Sequence, residues 1–309
     1  MNGVLVIDKP QGWTSHDVVA WVRKTLRIRK VGHGGTLDPM ATGVLPIYLG
    51  EGTKLVPFNL EGTKEYIATM KLGQETDTLD ADGKITAEKE GFSCTAQRVE
   101  EELSRFRGKI RQKPPLYSAI KQKGIPLYRR ARSGETPEVA EREAMVHVFS
   151  LREFSFPLVT LEITCGRGTY IRSLCADMGR ALGCGAHLVG LRRTRSGRFT
   201  LQEAMNPEEL SRLAEQKKIG EKIIAPGEAV DLTGKIQLEE KAAARVRQGQ
   251  PLRLSDLREG EQERLRKGQR WGLFQGRGEL LAIAESQVDG GPLLSGNSQA
   301  LRILRVFQG

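Results

Sequence analysis

The 309-residue sequence predicts an α+β fold, with a larger domain on a mixed β-sheet over residues 1–232 and a small, mostly β domain over residues 233–309. Three observations carry this. Strand-like and helix-like periodicities interleave with few regular β-α-β units. Beyond about Leu232 the pattern turns to short apolar runs punctuated by glycine, over a length typical of a domain. Apolar residues make up 39% and charged residues 28%, a balance that folds, in a chain long enough to bury a sizeable core.

Taken in order, Val4-Leu5-Val6-Ile7 is a buried strand ended by the turn at Pro10-Gln11-Gly12. Ser15 stands as the N-cap of a helix carrying Val18, Val19, Trp21, Val22 and Leu26. Residues 44–49 read as a second buried strand. Residues 64–72 alternate polar and apolar side chains, which predicts a strand with Lys64 and Tyr66 on one face. A helix follows over 96–106, strands over 146–154 and 158–165, and helices over 170–182 and 208–218. The C-terminal strands fall at 270–274, 280–283 and 301–307.

The net charge of +10 favours an anionic partner, with nucleic acid first. Its distribution says more. Residues 105–134 contain ten Lys or Arg and no acid. Residues 166–199 hold seven arginines against Asp177 alone. A solvated structural face mixes signs, so these blocks predict a surface that tracks phosphates. Cys94, Cys165, Cys175 and Cys184 have no C-x-x-C spacing, and the four histidines form no ligand pair, so no metal is expected. Few, scattered cysteines, an N-terminus unlike a signal peptide and the lack of a membrane-length apolar run predict a cytoplasmic protein.

One carboxylate stands apart. Asp38 sits in Gly32-His33-Gly34-Gly35-Thr36-Leu37-Asp38-Pro39, with no other acid between Asp17 and Glu51 and with Arg23, Lys24, Arg27, Arg29 and Lys30 just before it. Such a carboxylate should stay ionised, and it would repel a polyanion unless chemistry needs it. Pro39 biases Asp38 to an extended or turn conformation. An ordinary turn with a solvated aspartate is the plain alternative. The loop fits neither G-x-x-x-x-G-K-[ST] nor G-x-G-x-x-G, so no nucleotide cofactor is indicated. Residues 72–83 are acidic, but the terminal glutamate of a calcium loop is lacking.

The run Gly34-Gly35-Thr36-Leu37-Asp38-Pro39-Met40-Ala41-Thr42-Gly43 resembles the active-site motif of the TruB family of pseudouridine synthases. So do Lys64-Glu65-Tyr66, the acidic stretch 72–83, Gln112-Lys113-Pro114-Pro115 with Tyr117-Ser118-Ala119, Gly168-Thr169-Tyr170-Ile171-Arg172-Ser173-Leu174 and the run around Leu191-Arg192-Arg193. The matches follow family order from Asp8 to Phe199. The resemblance implies isomerisation of uridine 55 in the T-arm of tRNA, with Asp38 as the catalytic residue, Arg172 as its ionic partner and Tyr66 stacking on the base. It also implies substrate contacts from Tyr170, Leu191 and Lys64, with Asp80 in support; His33, flanked by glycines, is expected to fill the space the extruded base leaves, with a general-base role as the alternative. RNA contacts are expected from Lys121, Arg129, Arg130, Arg132, Arg192 and Arg193, with an RNA-clamping insertion at about 124–142. It further implies a PUA-like C-terminal domain and no cofactor, and no obligatory protein partner is expected. An RNA-binding protein without chemistry, or a guide-RNA-dependent synthase in a larger particle, are the competing readings.

Overall fold

The computed structural model describes residues 1–118, 120–122, 124–276, 278–290 and 298–308. The N-terminal part is a nine-stranded mixed sheet built from β1 (Gly3–Lys9), β2 (Val31–His33), β3 (Thr42–Leu49), β4 (Lys64–Leu72), β7 (Gly108–Gln112), β10 (Arg142–Ser155), β11 (Leu158–Cys165), β12 (Ala186–Ser196) and β13 (Phe199–Thr200). Two hairpins stand off it, β5 (Gln74–Thr76) with β6 (Ile85–Glu88), and β8 (Lys121–Gln122) with β9 (Ile125–Pro126). The central order is β1-β3-β12-β4-β11-β10-β7, with β2 on β3 and β13 on β12. Every pairing is antiparallel except β3 with β12.

Helices α1 (Ser15–Leu26), α3 (Ala96–Leu103), α5 (Ile171–Ala181) and α6 (Pro207–Glu215) contribute Val18, Val22, Val99, Leu174, Met178 and Leu210 to the core over this sheet. Short helices α2 (Val56–Asn59) and α4 (Leu127–Arg132) lie in connections. The strands show two burial regimes. β4 alternates buried and half-buried residues along its whole length, as a sheet with one covered face requires. β1 is buried nearly throughout because both its faces are covered. Leu5 and Ile7 face the helices, and Val4 and Val6 face a second core.

That second core joins the two parts of the chain. A five-stranded sheet of β14 (Gly234–Gln237), β15 (Leu252–Arg253), β16 (Arg270–Gln275), β17 (Glu279–Ser286) and β18 (Gln299–Val306), with α7 (Glu240–Arg247) and α8 (Glu259–Gln262), forms the C-terminal part. Its Phe274, Leu280, Ile283 and Phe307 pack with Val4, Val44, Tyr48 and Phe199 in one apolar cluster. Lys54 Nζ donates to Val306 O at 2.8 Å, and the Gln308 amide donates to Glu51 at 3.0 Å.

One cap departs from expectation. Thr14, not Ser15, is the N-cap of α1: its hydroxyl accepts from the Asp17 amide, and the Asp17 carboxylate accepts from the Thr14 amide, closing a capping box. Ser15 is buried and its hydroxyl is committed elsewhere, to the Asp38 loop.

Candidate active site

The Asp38 loop is held from several sides. Ser15 Oγ accepts from the Leu37 amide at 2.8 Å and donates to Leu37 O at 3.1 Å. The Gly12 amide donates to Pro39 O at 2.8 Å, and the Ala41 amide closes the turn onto Asp38 O at 3.0 Å. Beneath it, the fully buried Lys9 donates to the carbonyls of Pro10, Trp13 and Pro39. Burial pushes the Lys9 ammonium down to about 8, although the Asp38 charge pulls the other way. Arg193 donates to Gly35 O at 3.1 Å and Val44 O at 2.8 Å, which fixes the loop's two flanks. Gly35 has φ +91°, and Gly43 has φ +102° with its Cα against the Arg193 backbone, where no side chain would fit.

The loop aims Asp38 at Arg172, the second residue of α5. Arg172 Nη2 donates to Asp38 Oδ1 at 3.2 Å, and Nε lies 2.9 Å from Oδ2 as an ionic contact without hydrogen-bond geometry. The rest of the guanidinium is also engaged. Nη1 sits 3.3 Å from Asp80 Oδ2 and donates to Thr78 O at 3.0 Å; Nη2 donates to Tyr117 O at 2.8 Å. Arg172 and Asp80 are buried, whereas the Asp38 side chain keeps 35% exposure. The carboxylate is therefore the accessible end of a buried network. Burial and the Asp80 charge raise the Asp38 pKa above the ordinary value, and Arg172 opposes them.

Asp80 is itself anchored: its carboxylate accepts from Thr78 Oγ1 and the Asp82 amide, and its carbonyl from Thr76 Oγ1 at 2.7 Å. Tyr66 lies on β4 opposite Arg193 of β12, and Leu191 lies opposite Ala68, two residues along the same face as Tyr66. Burial raises the phenol pKa of Tyr66, and the Asp38 charge adds to the rise. Tyr170, the N-cap of α5, is half-buried; its phenol is pushed up by burial and feels both Asp38 and Arg172. His33 ends β2, its Nδ1 buried without a hydrogen-bond partner, and burial lowers its pKa, assisted by Arg193 and His16. Tyr66 and Tyr170 thus feel the Asp38 charge from two further segments of the chain.

Two expected contacts have other placements. Lys64 is buried, and its ammonium donates to Leu60 O at 2.6 Å and Gly62 O at 2.5 Å, bracing the turn before β4 instead of facing a substrate. Arg193 is 1% exposed and serves the loop's carbonyls, so its charge is withheld from any RNA surface. Arg192 is partly exposed and pairs with Asp8 at 2.7 Å. Lys121 and Arg129 are exposed; Arg130 pairs with Glu135 and donates to Gln122. The Arg132 side chain lies outside the described residues. Sequence reasoning missed Lys9 and Ser15 as loop supports. The only available signal was a charged residue ending a buried strand and a hydroxyl beside an N-cap. Among the described residues, no group of three or more His, Cys, Asp or Glu is arranged to hold a metal ion, and no helix is long and apolar enough to cross a membrane.

Residues 23–171 match the family model described as TruB family pseudouridylate synthase (N terminal domain), and residues 172–230 match tRNA pseudouridylate synthase B C-terminal domain. The chain is 44% identical over 307 residues to a tRNA pseudouridine synthase B of Geobacter sulfurreducens, covering 99% of this chain and 100% of that one. It is 41% identical to the protein of that name from Syntrophus aciditrophicus, covering 99% of each. Among solved structures it is similar to a chain of a Cbf5-Nop10-Gar1 complex (TM-score 0.75, 30% identity, 99% of this chain and 85% of that one). A chain of an H/ACA RNP bound to a substrate RNA containing 2'-deoxyuridine matches with TM-score 0.75 and 28% identity, over 99% of this chain and 85% of that one. With near-complete coverage at this identity, and with the motif-bearing segments folded around one carboxylate, the chain belongs to the TruB family of pseudouridine synthases.

Proposed function

We propose that this chain converts uridine to pseudouridine in tRNA, at position 55 of the T-loop, with Asp38 as the catalytic carboxylate. The reading rests above all on the Asp38–Arg172 pair, in which a partly exposed carboxylate is oriented by a buried guanidinium, with Tyr66 and Tyr170 close enough to feel its charge. The reaction breaks the C1′–N1 bond of a uridine, joins C1′ to C5 and exchanges the C5 proton for one on N1. It adds no atom and transfers no net electrons. The ionised Asp38 can serve as nucleophile, or take a proton in a glycal route, and Arg172 favours that ionised form.

A stacked uridine is out of reach, so the base is extruded at a cost of about a few kcal/mol. The low basicity of His33 keeps its imidazole neutral, which suits a flat side chain filling the vacated space. Tyr66, Tyr170 and Leu191 then hold the base. Lys121, Arg129, Arg130 and Arg192 supply phosphate contacts from the exposed basic segments. Residues 1–232 form the catalytic domain, and residues 233–309 a PUA-like domain that adds RNA grip. The setting is the cytoplasm, and no protein partner is required.

Tritium release from 5-tritiated uridine tRNA, with mapping of the product site in bulk tRNA, tests the reading. Wild-type release at one T-loop position, lost in Asp38→Asn while tRNA binding persists, is the expected outcome. Full binding with no release by the wild type would instead leave an RNA-binding protein without chemistry. The likeness to a chain of an H/ACA RNP favours a second reading, in which turnover needs a guide RNA within a larger particle; activity of the isolated chain on tRNA excludes it.

A further inference from the structure

The segment Gln112-Lys113-Pro114-Pro115-Leu116-Tyr117 runs along the start of α5 and is stitched to it residue by residue. Gln112 Nε2 donates to Tyr170 O at 3.0 Å, and Gln112 Oε1 accepts from the Tyr170 amide at 2.8 Å. Lys113 O accepts from Ser173 Oγ at 2.8 Å, and Tyr117 O accepts from Arg172 Nη2 at 2.8 Å. Between these anchors, two prolines restrict the backbone. Gln112 is 3% exposed at the end of β7, and its backbone pairs with Arg142 of β10.

Tyr170 needs such a hold. It follows Gly166-Arg167-Gly168-Thr169, in which Gly168 has φ +77°, and it caps α5 without a side-chain capping bond. No sheet ladder contains it. The Gln112 carboxamide satisfies its amide, as a neighbouring strand would, and shares its carbonyl with the Leu174 amide, which donates to it at 3.0 Å. The orientation of the carboxamide is fixed by that pairing, because the reversed amide would set donor against donor and acceptor against acceptor.

We propose that Gln112 is a positioning residue for the reaction: it holds the Tyr170 backbone so that the ring meets the extruded base, and it does so from the same segment that anchors Arg172. The role rests on the function proposed above. A small misplacement of a base-holding ring lowers turnover far more than it lowers affinity for a large RNA. Gln112→Met keeps the side-chain length and removes both bonds. Gln112→Glu keeps the acceptor for the Tyr170 amide and sets an oxygen against the Tyr170 carbonyl.

Single-turnover rates and tRNA binding are measured for both variants, alone and combined with Tyr170→Ala, together with their thermal midpoints. Roughly tenfold slower turnover in Gln112→Met, with tRNA Kd within about twofold, is expected. In the Tyr170→Ala background the same substitution should cost less than about twofold, because the side chain being placed is gone. Gln112→Glu, which keeps the bond from the Tyr170 amide, should show the same dependence on Tyr170. Wild-type turnover in both variants overturns the role. So do losses that multiply with Tyr170→Ala, or a rate loss that tracks a fall in tRNA affinity or thermal midpoint. A wild-type chain with no turnover on tRNA overturns the function itself, and this role with it.

Discussion

The basic residues buried at the centre of the molecule and those exposed on the 121–132 segment carry the same charge and do different work. Arg172 and Arg193 are almost fully buried, and their donors are engaged by Asp38, Asp80 and backbone carbonyls. Arg129 and Lys121 stand exposed on the 121–132 segment. The inner pair is therefore structural electrostatics: each guanidinium fixes a loop or a carboxylate, and removing it leaves buried acceptors unpaired. The outer set is a field that an anionic ligand can enter. A run of basic residues in a sequence does not distinguish the two.

Four measurements test this contrast. The largest effect is expected from Arg172→Lys, which keeps the charge and loses the planar fork. Turnover should fall by roughly two to three orders of magnitude, with tRNA affinity nearly unchanged. A loss confined to tRNA affinity would place Arg172 with the outer set. Next, Arg193→Ala leaves the Gly35 and Val44 carbonyls without their donor and should lower unfolding stability by roughly 2–4 kcal/mol in a denaturant titration. The salt dependence of tRNA binding should not change. The reverse result would return Arg193 to the RNA surface.

A smaller effect, of the opposite kind, is expected from Lys121→Ala combined with Arg129→Ala. Thermal stability should be unaltered, while the slope of log K against log salt becomes shallower by about 0.7–0.9 for each phosphate that is no longer neutralised. An unchanged slope would show that the exposed cations do not meet the backbone. The last effect concerns pH. Burial raises the Asp38 pKa, and turnover needs the ionised form. Activity should therefore be full above the raised pKa and fall as pH drops through it, with an acid limb lying above that of an ordinary aspartate. A limb at or below the ordinary carboxylate range would mean that Arg172 outweighs burial.

The elements were legible wherever one periodicity ran unbroken. The alternation of β4 placed Lys64 and Tyr66 on one face, and they share it, with both side chains buried. Asp38 and Arg172 could be nominated because their motifs resemble a family whose chemistry is known, and the fold brings them within 2.9 Å. The placements of Ser15, Lys64 and Arg193 were not legible. A hydroxyl next to a cap looks like the cap, and a lysine opening a strand looks like a surface charge. In each case the polar head is taken by backbone carbonyls or amides, from a distant segment for Ser15 and Arg193 and from the preceding turn for Lys64, and such partners have no letter in the sequence.

Local rules acting on the residues were enough for the longer strands and helices of the N-terminal part, the change of character near Leu232, the isolation of one carboxylate and the excess of positive charge, but not for short strands such as Val31–His33 and Gly108–Gln112. Packing in three dimensions settled which charges are spent inside and which remain for a partner, and how far Asp38 is buried. The reason is physical. Periodicity and turn chemistry act over a few residues, whereas desolvation and hydrogen-bond satisfaction depend on whichever groups packing brings near, here from positions more than a hundred residues apart.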